Sequence, residues 1–149
     1  MELSKILVPV NGDEADEEAI KLACSIAKKK KGTVYIVHVI EVKRTLPLDA
    51  QIGPETQRGE EVLAAAERVA EEEDYEVETD LLQAREVGPA ILNEAMEREV
   101  DLIIFGIIYK TRFGEFSLGE ATPYVLKNAP CRVWICRAPP DLEASSPTS

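Results

Sequence analysis

The segment at residues 101–119 has the residue types best suited to holding an anionic ligand. Its first part, residues 102–108, is a continuous apolar run typical of a strand that helices cover on both faces. A loop with two glycines and two basic residues, Lys110 and Arg112, follows, and a helical pattern begins after the second glycine. A strand, a glycine-bearing loop and a helix N-terminus in this order form phosphate sites in α/β proteins. The sequence therefore predicts a ligand site here.

The chain offers little support for covalent or metal chemistry. His38 is the only histidine, and its place inside a strand pattern indicates a core or cleft residue. No Ser-His-Asp or Cys-His set can be assembled, and no residues have metal-ligand spacing. The cysteines at positions 24, 131 and 136 are interpreted as small hydrophobic residues, the last two on opposite faces of a strand. We therefore expect no catalytic residues and no metal site.

Length and charge narrow the class of protein. The 149 residues suit one domain, and a formal charge of −11 argues against nucleic acid or an anionic membrane as a partner. No apolar stretch approaches the ~20 residues that span a bilayer, and Pro9 ends the first apolar run before it could serve as a signal peptide. The sequence predicts a cytoplasmic protein with no direct membrane insertion.

Hydrophobic periodicity divides the chain into alternating strands and helices. The predicted strands lie at residues 5–10, 33–42, 75–82, 101–107 and 132–137. The predicted helices lie at residues 16–29, 60–73, 87–99 and 122–128, with Asp13 capping the first helix and Gly32 ending it. Residues 43–57 should form a long exposed loop. Residues 1–137 form the domain, and residues 138–149 are expected to be a disordered tail.

This order of elements predicts the architecture. Strands that alternate with helices need right-handed crossovers, which give a parallel sheet with helices on both faces. In doubly wound five-stranded sheets the first and fourth strands commonly lie side by side. The turn after Val10 and the loop after Gly106 should therefore face each other at the carboxyl edge of the sheet.

Several separated blocks of the sequence resemble the universal stress protein family. The blocks are KILVPVNGDE, VHV, and VDLIIFG followed by LGEATPYVLKNAPCRVWICR, and together they cover residues 5–137. The resemblance implies an α/β fold of the adenine-nucleotide α-hydrolase-like, Rossmann-like kind, with strand order 3-2-1-4-5. It also implies frequent homodimers through the last strand and, in some members, bound ATP or AMP.

The family's ATP-binding members carry a G-x2-G-x9-G-(S/T) pattern, which this chain matches only in part. Gly106 and Gly119 take the first and third glycine positions, but Tyr109 replaces the second glycine and Glu120 replaces the hydroxyl residue. A tyrosine side chain hinders close approach of the backbone to phosphate. A carboxylate ~4 Å from a phosphate charge costs about 1 kcal/mol in water and about 4 kcal/mol at an effective dielectric near 20.

The resemblance assigns binding roles residue by residue. The end of the first strand and the second-strand valine would hold the base, and the motif loop would hold the phosphates. The full cofactor-binding set is Pro9, Val10, Asn11, Val39, Gly106, Tyr109, Gly119, Glu120 and Ala121. The last helix starts either near Gly119 or at the capping pair Thr122–Pro123, and each alternative alters the phosphate position.

The last strand, RVWICR, is expected at the edge of the sheet. An exposed strand edge with large apolar side chains tends to pair with another strand. Two copies could align antiparallel about a twofold axis, with Val133, Trp134 and Ile135 in the dimer interface. Trp134 is the candidate anchor of this interface, and the competing interpretation makes it an ordinary core residue.

These features leave three hypotheses open. The first is a non-catalytic, dimeric regulatory protein that senses AMP or ATP through a degenerate phosphate loop. The second is an interaction module without nucleotide binding, with an unidentified protein partner, since such domains are sometimes appended to membrane transporters in this family. The third is a weak ATPase. Occupation of the phosphate site by Tyr109 and Glu120 would distinguish the first two.

Overall fold

The computed structural model describes residues 3–108 and 121–137 of the chain. Within them five strands alternate with four helices. The strands are β1 (Lys5–Pro9), β2 (Thr33–Glu41), β3 (Glu78–Ala84), β4 (Leu102–Ile107) and β5 (Arg132–Arg137). The helices are α1 (Ala15–Lys28), α2 (Gly53–Glu72), α3 (Val87–Glu97) and α4 (Ala121–Asn128). Tyr109, Gly119, Glu120 and the tail at 138–149 lie outside the described residues.

The strands form one parallel sheet in the order β3-β2-β1-β4-β5, so the predicted fold class and strand order are confirmed. Ile6 of β1 lies opposite Val34 of β2 on one side and opposite Leu102 of β4 on the other. β1 and β4 therefore occupy the centre, where the apolar runs of the sequence are longest. Their adjacency creates the reversal of strand order on which the functional site depends.

Each face of the sheet builds its own hydrophobic core. Ile6, Val8 and Ile36 pack under α1 and α2, while Leu7 and Val37 pack under α3 and α4. Successive residues of a strand point to opposite faces, so a central strand needs apolar residues at every position. Complete burial of one such side chain contributes about 1.5–3 kcal/mol. The continuous apolar runs are the direct consequence.

The cysteines behave as the sequence predicts. Cys136 packs against the core on the α1 and α2 face and Cys131 against the core on the opposite face. Cys24 is completely buried in α1, and burial raises the pKa of its thiol to about 11. At neutral pH this thiol is protonated and unreactive, because the thiolate is the nucleophilic form.

The expected long loop at residues 43–57 is wrong in its second half, because α2 begins at Gly53. Pro54 lies in the first turn of α2, where its missing N–H costs no helical hydrogen bond. Gly59 suggested a helix break, but it lets α2 approach the sheet, since a Cβ there would lie 2.6 Å from Leu81 Cδ1. β3 likewise starts at Glu78, later than expected. Tyr75 precedes it, and its hydroxyl donates to the carbonyl of Gly32.

The prediction that Gly32 takes the left-handed position at the end of α1 is also wrong. Lys31 takes that position with a φ of 53°, and Asp74 and Glu99 do the same after α2 and α3, with φ of 55° and 52°. The next amide in each case bonds back to the helix, as Gly32 N does to Ala27 O at 2.9 Å. Gly32 is needed for another reason, because a Cβ there would lie 2.1 Å from the Ser4 carbonyl oxygen.

Asp13 supports the start of α1 without being its N-cap residue, which is Glu14. Its Oδ1 atom accepts a hydrogen bond of 3.0 Å from the amide of Ala15, so it satisfies one of the donors that a helix N-terminus leaves free. The sequence therefore identified the side chain correctly and placed its capping role one residue early.

Candidate functional site

The carboxyl ends of β1 and β4 are neighbours, and the chain leaves them toward opposite faces of the sheet. Open α/β sheets bind ligands at this kind of switch point. A cleft of about 510 Å³ lies at this edge, and we call it the switch-point cleft. Its described walls come from the turn after β1, the end of β2, the start of α3 and the start of α4, as Asn11, Glu41, Gly88 and Tyr124 represent.

The turn after β1 is fixed by Asp16 of α1. The carboxylate of Asp16 accepts hydrogen bonds from the amides of Asn11 at 3.1 Å and Gly12 at 2.6 Å. Burial raises the pKa of Asp16 above its usual value, although these two amides act to lower it. Arg58 of α2 donates to the Asn11 carbonyl at 3.0 Å. Both backbone polar groups of Asn11 therefore have partners within the protein, and its side chain is left to line the cleft.

Val10 links the turn to the second strand. Its amide donates to Val37 O at 2.9 Å, and its carbonyl lies 2.8 Å from His38 Nδ1. His38 is 7% exposed, which confirms the interpretation of this histidine as a core or cleft residue. The ring also packs beside Gly59, where an added Cβ would lie 3.1 Å from its Cδ2 atom. The histidine joins β1, β2 and α2 and has a structural role.

Gly106 has a packing role that the motif comparison did not anticipate. A Cβ at this position would lie 2.1 Å from the carbonyl oxygen of Ala15 and 3.2 Å from Ala19 Cβ. Only glycine lets the first turns of α1 lie this close to β4. The residue is therefore required by the fold whether or not the loop after it contacts a ligand.

The assigned binding residues divide into three groups. Asn11 and Ala121 line the switch-point cleft. Pro9, Val10, Val39 and Gly106 lie at the same edge of the sheet but not among its lining residues. Tyr109, Gly119 and Glu120 fall outside the described residues, so their roles stay predictions. α4 is described from Ala121, with Thr122 buried and Pro123 inside its first turn.

Four lining residues were missed from the sequence: Glu41, Glu86, Gly88 and Tyr124. The signal that could have found the two glutamates is their place after β2 and β3, since carboxyl ends of parallel strands share one edge. Gly88 allows Tyr124 to pack over the start of α3, because a Cβ on Gly88 would lie 2.8 Å from Tyr124 Cδ1. Among the described lining residues, acidic side chains occur and basic ones do not.

β5 is an edge strand of the sheet, as predicted. Trp134 packs partly against the core on the α1 and α2 face, and Val133 packs partly against the other core. Ile135 is 37% exposed. The strand therefore combines partial burial with an apolar side chain at the surface, and the interface assigned to it stays a prediction.

A parallel sheet of order β3-β2-β1-β4-β5, helices on both faces and a cleft at the switch point define a Rossmann-like α/β protein. The model of the universal stress protein family matches residues 2–137. The chain belongs to the universal stress protein family.

Individual comparisons agree with this assignment. The chain is 30% identical to universal stress protein MJ0531 of Methanocaldococcus jannaschii over 141 residues, which cover 91% of this chain and 82% of that protein. A solved universal stress protein from Archaeoglobus fulgidus superposes with a TM-score of 0.75 at 24% identity, covering 88% of this chain and 96% of that one. The universal stress protein of the same organism in complex with dAMP gives a TM-score of 0.71 at 23% identity, with 91% and 98% covered.

Two further searches concern residues 3–108 and 121–137 alone. No helix in these ranges is long and apolar enough to cross a membrane. No group of three or more histidine, cysteine, aspartate or glutamate side chains in them could hold a metal ion.

Proposed function

We propose that this protein is a regulatory, non-catalytic member of its family that binds an adenine mononucleotide in the switch-point cleft. The observation that carries the proposal is the cleft itself, which lies at the edge where this fold class binds ligands. The complex of a solved family member with dAMP supports the choice of an adenine nucleotide.

The charges around the cleft favour few phosphates over many. Glu41 and Glu86 line it, and Glu120 stands at a motif position that holds a hydroxyl residue in ATP-binding members. Each added phosphate charge meets this acidic lining at a cost that grows with the number of charges. AMP is therefore expected to bind more tightly than ATP.

A second candidate is an interaction module that binds no nucleotide and acts through a protein partner. One specific observation favours it: the amides of Asn11 and Gly12, at the end of β1, already donate to Asp16. A ligand that needed those donors would have to displace a carboxylate.

A direct test combines two measurements on the purified chain. Denaturation followed by chromatography identifies any nucleotide carried through purification, and calorimetry measures binding of AMP, ATP and adenosine. The Asn11→Trp variant should fill the cleft and abolish AMP binding, whereas Ser25→Trp, on an exposed position of α1, should leave it unchanged. Wild-type protein that ignores all three compounds would contradict nucleotide sensing and leave the interaction module.

We further propose that the protein acts in the cytoplasm as a homodimer through β5. Three free cysteines suit a reducing compartment, where thiols do not pair. The unpaired edge of β5 and the exposed side chain of Ile135 support association of two copies.

A further inference from the structure

The second large cavity lies on the α3 face of the edge strand β3. α3 packs mainly against α4 and β2, so it leaves part of β3 uncovered. The groove between them has a volume of about 560 Å³, and we call it the edge groove. The turn at Glu86 and Pro89 separates it from the switch-point cleft and contributes to both.

One end of the edge groove is acidic and has an unsatisfied group. The side chain of Glu94 is 8% exposed, yet its Oε2 atom has no hydrogen-bond partner. The nearest cation is Arg98, whose Nε lies 3.6 Å away, too far for a good hydrogen bond. Arg98 is also held elsewhere, since it lies 3.5 Å from Asp80 and 4.6 Å above the ring of Tyr35.

A buried carboxylate in this position lacks the donors that would offset its loss of water. Such a group normally costs free energy unless hydrogen bonds compensate it. Burial raises the pKa of Glu94, the neighbouring Asp80 carboxyl raises it further, and Arg98 acts in the opposite direction. Glu97 lines the same end and accepts a hydrogen bond of 3.5 Å from Asn93. This end of the groove would be stabilised by an added cation.

The other end of the edge groove is basic. Arg44 lies there with a side chain 82% exposed, 3.8 Å from Glu86. Arg85 is held in place because its Nη1 donates to the carbonyls of Lys43 at 2.6 Å and Leu46 at 2.8 Å. Two guanidinium groups beside one carboxylate match the carboxylate and amino groups of an amino acid.

The distance between the two ends sets the length of the ligand. Glu86 and Glu94 are eight residues apart on one face of α3, which is about 12 Å along the helix axis. Side chains reach into the groove from both ends, which leaves room for a molecule as long as free arginine or lysine. Leu82 and Ala84 of β3 form an apolar floor between the ends, suited to a methylene chain.

We propose that the edge groove is a binding site for a free basic amino acid, L-arginine or L-lysine. The side-chain cation lies between Glu94 and Glu97, the methylene chain lies on β3, and the α-carboxylate pairs with Arg44 and Arg85. The α-ammonium group faces Glu86. This site is separate from the proposed nucleotide function and does not depend on it.

The test uses the full chain labelled with nitrogen-15 and titrated with L-arginine, L-lysine, norleucine and cadaverine. Norleucine lacks the distal cation, and cadaverine lacks the carboxylate. Arginine or lysine should shift the amide signals of Leu82 and Ala84, and the two comparators should bind at least about tenfold more weakly, since each loses a charged hydrogen bond.

Two variants locate the ends of the site. Glu94→Gln should weaken arginine binding about tenfold, and Arg44→Gln should remove the preference for arginine over cadaverine, again through one charged contact. Glu71→Gln and Arg68→Gln, at exposed positions of α2, are the matched controls and should bind as wild type. Arg44 is exposed, so its variant should fold even if Glu94→Gln does not.

Three results would overturn the proposal. One is the absence of amide shifts in β3 at millimolar arginine. Another is equal affinity for cadaverine and lysine, because the arginine end would then contribute nothing. The last is unchanged binding in the folded Arg44→Gln variant.

Discussion

A Cβ atom on Gly106 would lie 2.1 Å from the carbonyl oxygen of Ala15, so β4 and α1 approach each other more closely than any other residue allows. Gly106 is also the first glycine of the family's phosphate motif. In this chain the same residue therefore serves the packing of the fold, and a loss of ligand binding on its substitution would not by itself report a phosphate contact.

Gly106→Ala should lower the free energy of unfolding by about 1–3 kcal/mol, the usual cost of forcing an atom into a packed contact. Denaturant unfolding followed by circular dichroism measures this change. Gly53→Ala is the control, because a Cβ there meets nothing within 4 Å, and its effect should stay within about 0.5 kcal/mol. Equal stabilities for the two variants would show that α1 moves away freely.

Glu99→Gly should stabilise the protein by about 1 kcal/mol, because a non-glycine residue in the left-handed region carries a steric cost. Thermal unfolding of the variant should occur at a higher temperature. The matched change Glu71→Gly, inside α2, should instead destabilise by about 1 kcal/mol, as glycine does in a helix interior. A loss of stability in both variants would contradict the backbone argument.

Asp101 should contribute stability that disappears in acid. Its Oδ2 atom accepts hydrogen bonds from the amides of Ser4 at 3.0 Å and Lys5 at 2.9 Å and from the Ser4 hydroxyl at 3.1 Å. Burial acts to raise the pKa of Asp101, but these donors outweigh it, and the pKa lies below its usual value. The stabilisation is therefore complete above the unfolded-state pKa of about 3.9 and is lost as pH falls through the lower folded-state pKa.

Asp101→Asn should cost about 1–3 kcal/mol at neutral pH, since amide donors that faced a carboxylate are left poorly satisfied. Urea unfolding between pH 7 and pH 3 should show the difference from wild type shrinking only below about pH 4. A difference that stays constant over this range would mean that Asp101 does not titrate with the predicted linkage.

Glu41 should discriminate among adenine compounds by charge. Glu41→Gln removes one carboxylate from the lining of the switch-point cleft and should improve AMP binding about two- to fivefold while leaving adenosine unchanged. Calorimetry at low and high salt measures both, and the gain should shrink at high salt because exposed charges are screened. Glu71→Gln is the control. An equal gain for adenosine would point to a steric effect.

Ile135→Asp should convert a β5-mediated dimer to monomer, because a charge on each of two facing edge strands opposes their pairing. The more buried Val133→Asp should act in the same direction at some cost in stability. Sedimentation velocity measures the mass. Leu48→Asp is the control, since Leu48 is 49% exposed in the loop between β2 and α2. An unchanged mass for Ile135→Asp would exclude β5 as the interface.

The alternation of strands and helices was enough to predict the sheet and the position of the switch point. The central strands are apolar at every position because both faces are buried, and this pattern is visible in the sequence alone. The start of α2 was missed because Gly53 and Gly59 are compatible with a loop. Their tolerance in a helix depends on Pro54 in the first turn and on close contact with Leu81, which only the folded structure reveals.

The site was harder to predict than the fold. Asn11 could be located because it directly follows β1. Glu41, Gly88 and Tyr124 come from three separate elements, and their convergence depends on how β2, α3 and α4 are placed. The groove beside Glu94 was not visible either, because the absence of a hydrogen-bond partner is a property of the packed side chain.

The left-handed residues Lys31, Asp74 and Glu99 stand just before β2, β3 and β4, at the amino edge of the sheet. The switch-point cleft lies at the opposite edge. Engineering for heat resistance can therefore draw on the amino edge alone, where glycine substitutions relieve local strain without altering any residue that lines the cleft. Natural sequence variation at these three positions should be correspondingly free of the demands that ligand recognition imposes on the other edge.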